Sequence, residues 1–195
     1  MSSLQQPRYL ITGASSGIGE ELARQLAKKG YTVGLIARRK ERLVALKQEL
    51  KYKPGKVFIY AVDLSNEAES TQAYTKLLSD MGGLDGIILN AGVGRDDLKA
   101  PWESDAQTID INIRAFAHGL HWAFAYFQEQ GHGHVVGMSS IASHLASGHA
   151  PVYTASKHFV SNYMTGFRMK ANALEIKLTE LDFFLTTHQL AERFH

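Results

Sequence analysis

Residues 153 to 157 read YTASK, which places a tyrosine one helical turn before a lysine. Residues four apart on a helix share a face, with Cβ atoms about 6 Å apart, so the Lys157 ammonium would stand beside the Tyr153 phenol. A proton carrier next to a cation is a possible acid/base unit. A solvated lysine beside a half-buried tyrosine fits the same two letters, and the pair alone does not decide between them.

A second stretch carries a different chemistry. TGASSGIG, residues 12 to 19, follows the apolar RYLI and precedes EELARQLAKKG, an amphipathic helix that stops at Gly30. A strand, a glycine-rich turn and a helix N-terminus make an anion site, because unpaired backbone N–H groups and the positive end of the helix dipole converge. The glycines allow a pyrophosphate to approach. Gly13, Gly17 and Gly19 have the spacing G-x-x-x-G-x-G, which differs from the commoner G-x-G-x-x-G fingerprint, and the Gly-Lys-Ser/Thr of a P-loop is absent. At the end of the second apolar run, LIARRKERL offers Arg38 and Arg39 and no acid before Glu41. An acidic side chain there would bind a free ribose 2′-hydroxyl and an arginine a 2′-phosphate, so charge favours NADPH over NADH.

The elements that position these residues are legible as an alternation. Short apolar runs (RYLIT, YTVGLIA, KVFIYAV, DGIILN, HVVGMS, EIKLTEL) are separated by amphipathic segments at 17–30, 39–51, 66–80, 103–130 and 152–173. Runs such as VGLIA and GIILN are apolar without alternation, as expected of strands covered on both faces, so the sheet should be parallel. The fold class expected is α/β: a doubly wound, Rossmann-like parallel sheet of about six strands, forming a single domain over 1–195.

Bulk composition narrows the partners. The 195 residues are 45% hydrophobic and 21% charged, ordinary for one globular domain. With 21 basic and 19 acidic side chains the net charge is +2, too even for nucleic acid or a membrane to be the main partner, which leaves small molecules. Without cysteine there is no disulfide, thiolate metal site or nucleophilic thiol. No charged leader precedes an apolar run and no stretch approaches the roughly 20 apolar residues of a membrane span, so a soluble, cytoplasmic protein is expected. Nine histidines raise the question of a metal, but His132 and His134, or His118 and His121, lack the further converging ligands a metal needs. No metal is expected. His144 and His149 read as loop histidines, and HWAFAYF, 121–127, as helix core or a subunit interface.

TGASSGIG, LNAG at 89–92, IDINIRA at 109–115, SS at 139–140 and YTASK stand in one order on one α/β chain. Together they resemble the short-chain dehydrogenase/reductase family in its single-domain form, over about residues 8 to 181. The resemblance implies an oxidoreductase that moves hydride between a nicotinamide and a carbonyl or alcohol substrate. It assigns the catalytic roles to Asn112, Ser140, Tyr153 and Lys157. It assigns the dinucleotide to Gly13, Ser15, Gly17, Ile18 and Gly19 in the turn, Arg38 as phosphate reader, Asp63 with Leu64 at the adenine, Asn90, Ala91 and Gly92 after the fourth strand, and Tyr153 and Lys157 again. In that reading a cation within about 4 to 6 Å lowers a phenol that otherwise ionises near pH 10, so Tyr153 becomes an acid/base beside Lys157. Ser140 holds the substrate oxygen, and Asn112 holds a water that links Lys157 to solvent. The family's habit of pairing its long helices between subunits implies a homodimer.

The chain departs from the pattern after the sixth apolar run. It reads TELDFFLTTHQLAERFH, with no Pro-Gly, and His188 stands where the family has a threonine at the nicotinamide amide, with Thr186 and Thr187 beside it. The family's substrate-covering segment and last strand are also missing from this sequence. The alternative expectation is therefore a dinucleotide-binding protein of the same fold with little turnover.

Overall fold

The computed structural model describes residues 6–94 and 99–183; Thr186, Thr187 and His188 lie outside the described residues. Six strands form one sheet in the order β3-β2-β1-β4-β5-β6. They are β1 (Arg8–Thr12), β2 (Thr32–Ala37), β3 (Val57–Ala61), β4 (Gly86–Leu89), β5 (His132–Ser140) and β6 (Glu175–Phe183), and every pairing is parallel. The crossovers are α1 (Gly17–Lys28), α2 (Lys40–Glu49), α3 (Glu67–Met81), α4 (Trp102–Ile109) continuing into α5 (Phe116–Gln130), and α6 (Pro151–Lys170). The doubly wound, Rossmann-like arrangement expected from the apolar runs is the one observed.

Two cores explain why the strands lack polar alternation. On one face, Tyr74 and Leu77 of α3, Phe116, Phe124 and Phe127 of α5 and Met164 and Phe167 of α6 pack on Leu10, Ile87 and Val135. On the other, Ala23 and Ala27 of α1 with Leu43 and Leu46 of α2 cover Ile11, Val33, Leu35 and Ile88. Both faces of the central strands are dry, so both sets of side chains must be apolar. The aromatic run 121–127 serves this core: Phe124 and Phe127 are buried, while Trp122 lies against Tyr74 at 4.9 Å and stacks on Tyr126.

One element differs from the expectation. The segment 103–130 is not a uniform α-helix: Asp110–Ala115 forms a π-helical turn between α4 and α5. Such a turn takes one extra residue and is common at functional sites. Here the buried Asn112 lies within it and reaches out of the helix to Val93.

Candidate active site

β1 ends at Thr12, and the chain turns on Gly13 (φ +69°) and Gly17 (φ +56°), left-handed conformations that suit glycine. Gly19 has a different reason to be glycine. A Cβ there would lie 2.6 Å from the Gly13 carbonyl oxygen and run into Asn90 Nδ2. The turn is braced from β4: the Thr12 hydroxyl accepts the N–H groups of Asn90 and Ala91 at 3.0 and 3.1 Å, and Asn90 Nδ2 donates to the Thr12 carbonyl at 3.0 Å. Asn90 and Ala91 thus build the cradle. Ser16 precedes α1 with extended backbone and its side chain does not cap the first N–H groups of the helix. Ile18 packs under the turn against the α1–α2 core. A backbone cradle at the N-terminus of a 12-residue helix fits the pyrophosphate of a dinucleotide.

The two arginines after β2 separate. Arg39 turns back onto the cradle, where its Nε and Nη2 donate to Ser15 Oγ at 3.1 and 2.9 Å and Nη2 also donates to Ser16 Oγ at 2.7 Å. Burial and the neighbouring Arg42 and Arg38 push its guanidinium below the usual arginine range, against a pull from Glu20. Arg38, the residue expected to read the phosphate, pairs with Asp63 at 3.7 Å, both about half exposed. Burial pushes the Asp63 carboxyl up, but the Ser65 N–H and hydroxyl and the Arg38 charge together hold it below the usual range. Leu64 is buried in the core beneath it. The sequence offers Arg38 and Arg39 side by side and does not show that Arg39 turns back to Ser15 while Arg38 turns to Asp63.

Tyr153 and Lys157 lie one turn apart in the first half of α6, with Lys157 Nζ 5.7 Å from the centroid of the Tyr153 ring. Lys157 is buried, its Nζ donates to the Met138 carbonyl at 2.9 Å, and burial lowers its pKa to about 8. Gly92 passes close by, since a Cβ on it would stand 3.7 Å from Nζ. Ser140 ends β5; its Oγ accepts the Ala142 N–H at 3.2 Å and donates to the Phe183 carbonyl at 3.3 Å. The neighbouring Ser139 Oγ is buried without a hydrogen-bond partner among the described residues.

Asn112 is not turned toward solvent. Its Oδ1 accepts the Val93 N–H at 2.8 Å, while Nδ2 donates to the Val93 carbonyl at 2.7 Å and to Ser156 Oγ at 3.0 Å. Both amide donors are therefore used by protein groups. Ser156 was missed by sequence reasoning, although its i+3 spacing from Tyr153 put it within reach.

Beside Tyr153 a cavity of about 100 Å³ is lined by Ser104, Asp105, Thr108, His149 and Val152 among others. His144 is exposed and lies 3.7 Å from Asp182. His118 contacts Thr71 at 3.1 Å, and His121 sits edge-on to Phe167. No group of three potential metal ligands converges among the described residues, and no helix among them is long and apolar enough to cross a membrane.

Comparison with known proteins agrees with this fold. The family model for short chain dehydrogenases matches residues 8–187. An uncharacterized oxidoreductase of Myxococcus xanthus is 34% identical over 182 residues, covering 92% of this chain and 72% of that protein. Among solved structures, an alcohol dehydrogenase from the archaeon Thermococcus sibiricus complexed with 5-hydroxy-NADP superposes with a TM-score of 0.84 at 26% identity, over 91% of this chain and 76% of that one. A serine dehydrogenase from Escherichia coli gives 0.82 at 28% identity, over 90% and 81%. From the sequence match and the fold together, the chain belongs to the short-chain dehydrogenase family.

Proposed function

We propose that the protein is an NADP-dependent oxidoreductase that interconverts a carbonyl compound and its alcohol, with Tyr153 as the acid/base. The observation that carries the reading is the pairing of Tyr153 with a buried Lys157 on one turn of α6, next to a cradle that fits a dinucleotide. A bound nicotinamide supplies the hydride in reduction and receives it in oxidation. Tyr153 gives its hydroxyl proton to the carbonyl oxygen in reduction and takes it back in oxidation. Lys157 favours the ionised phenol and, through the same ammonium, holds the nicotinamide ribose. Ser140 holds the substrate oxygen, which takes the place of the Phe183 carbonyl on its hydroxyl. Asn112 fixes the Val93 loop, and Gly92 leaves room for the dinucleotide beside Lys157.

The preference for NADPH rests on the positive cluster of Arg38, Arg39 and Arg42 at the end of β2. Arg38 reads the 2′-phosphate, as its position implies, and Arg39 joins it from the Ser15 side. Solved neighbours carry either dinucleotide, one 5-hydroxy-NADP and others NAD, so the choice rests on this charge. A homodimer is formed through the outer faces of α5 and α6, where Ala125, Ala155, His158, Asn162 and Met169 are exposed.

The test is a steady-state assay with NADPH and NADH over a panel of ketones and alcohols, beside a binding titration. Tyr153→Phe should abolish turnover with NADPH affinity nearly unchanged. Replacing Arg38 or Arg39 with Ala should weaken NADPH by about 1.5 to 3 kcal/mol, the size of a charge-assisted contact, and leave NADH little affected. Equal affinity of the unaltered protein for both dinucleotides would remove the NADP assignment, and binding without any turnover would favour a dinucleotide-binding protein.

A further inference from the structure

We propose that Ser156 is a positioning residue for this site, locking the π-helical turn that carries Asn112 to the turn of α6 that carries Tyr153. The inference rests on the oxidoreductase reading above. Ser156 is wholly buried between Tyr153 and Lys157 in sequence. Its hydroxyl does two things at once: it accepts Asn112 Nδ2 at 3.0 Å and donates to the Tyr153 backbone carbonyl at 2.7 Å. Asn112 grips both polar groups of Val93, and the next residue, Gly94, lies directly under the Tyr153 ring, where a Cβ would stand 3.0 Å from Cε2.

These contacts close a circuit. It runs from the Tyr153 carbonyl through Ser156, Asn112, Val93 and Gly94 back to the Tyr153 ring, and so spans α6, the π-helical turn and the loop after β4. The phenol is thereby fixed from two sides, by its own backbone and by the floor under its ring. Ser156 is the one member that touches both Asn112 and the Tyr153 backbone. Without its hydroxyl, a buried Asn112 N–H has no acceptor, and an unpaired buried donor drives rearrangement because its desolvation is uncompensated. The amide then turns from Val93, and the floor under Tyr153 moves. Lys157 is anchored separately, by the Met138 carbonyl. The loss should therefore fall on proton transfer and spare the hold on the dinucleotide.

Ser156→Ala and Ser156→Thr in the full chain test this. The expected result for Ser156→Ala is a fall in kcat of about tenfold with NADPH affinity changed by less than about twofold, the signature of lost transition-state geometry. Ser156→Thr keeps the hydroxyl and should restore most of kcat; if its methyl group prevents folding, Ser156→Cys, similar in size with a weaker hydrogen-bonding group, should fall between. A Ser156→Ala kcat within about twofold of the unaltered protein, or kcat and NADPH affinity falling together with the melting temperature, overturns the inference. Should the unaltered protein turn over no substrate, the oxidoreductase reading fails by itself, and amide exchange then decides the positioning role. Faster exchange at Val93 in Ser156→Ala, with the β1 and β4 amides unchanged, supports the circuit. Unchanged exchange at Val93 refutes it.

Discussion

Lys157 shows what it costs the chain to keep an ammonium at the site. Its burial lowers the pKa to about 8 from an ordinary 10.5, and the Met138 carbonyl is the acceptor that it gains. Between those two values the unfolded chain binds more protons than the folded one, so stability rises with pH across that window, while below pH 8 the whole penalty is present. The depression corresponds to roughly 3 kcal/mol. Lys157→Met, which keeps the stem and drops the charge, should therefore be more stable than the unaltered protein at pH 7 by about 1 to 2 kcal/mol after the lost hydrogen bond is counted, and should lose turnover. Urea melts at pH 7 and pH 10 check this, because the gap must shrink at the higher pH. A gap independent of pH would mean that the lysine is not strained by its burial. The Tyr153 and Lys157 pair stood out in the sequence by its spacing, while Ser140 and Asn112 entered through the family resemblance. The partners of site residues were not legible: Arg38 and Arg39 are adjacent, and which one turns back to Ser15 depends on how the chain leaves β2, a property of the turn and not of either side chain.

Among elements, the glycine turn was fully legible because its requirements are local. A strand, three glycines and an amphipathic helix say where backbone N–H groups will gather, and the structure adds only what each glycine avoids. Gly19→Ala pushes a methyl group into the Gly13 carbonyl and the Asn90 amide, and Asn90 Nδ2 cannot retreat without breaking its bonds to the Thr12 and Gly13 carbonyls. It should cost about 2 to 3 kcal/mol, in the range of overpacked sites, and abolish dinucleotide binding. Gly166→Ala is the contrast. It lies inside α6 with nothing in the protomer within 4 Å of an added Cβ, so in the protomer helix propensity acts unopposed and the variant should gain about 0.5 to 1 kcal/mol. Denaturant titration of both variants against the unaltered protein measures the pair, and similar losses in both would contradict the account of Gly19. The π-helical turn was illegible for the opposite reason. Nothing in IDINIRA breaks a helix, and the extra residue is accommodated because Asn112 must meet Val93, far away in sequence.

At the scale of the molecule the sheet has a functional end and a structural end. The glycine turn, Arg39, Ser140 and the Val93 loop all lie at the C-terminal ends of strands, around the point where the order passes from β1 to β4, the place where doubly wound sheets bind ligands. The opposite end carries a polar tie that the sequence did not reveal. Tyr9 of β1 crosses over Gly86 of β4, which has no side chain to obstruct it, and its hydroxyl meets His134 Nδ1 of β5 at 3.0 Å. His134 Nε2 meets the Thr179 hydroxyl of β6 at 2.9 Å. The two histidines of QGHGHVV were weighed as metal ligands, and one of them instead links three strands. Burial lowers the His134 pKa from its ordinary 6.5, and the Lys177 charge lowers it further. A group depressed in this direction is neutral in both states well above pH 6.5; as the pH falls below 6.5 the unfolded chain takes up the proton first, and stability is lost. The melting temperature should therefore drop between pH 7 and pH 5. In His134→Gln, which keeps hydrogen-bonding groups and cannot titrate, the drop should be smaller, although the variant is less stable at pH 7 if the longer amide bonds Tyr9 and Thr179 less well. Parallel calorimetric scans at the two pH values measure both effects. If His134→Gln loses as many degrees on acidification as the unaltered protein, the acid sensitivity comes from elsewhere, and not from Asp85 or Asp63, whose depressed carboxyls stay ionised in folded and unfolded chains alike across this window.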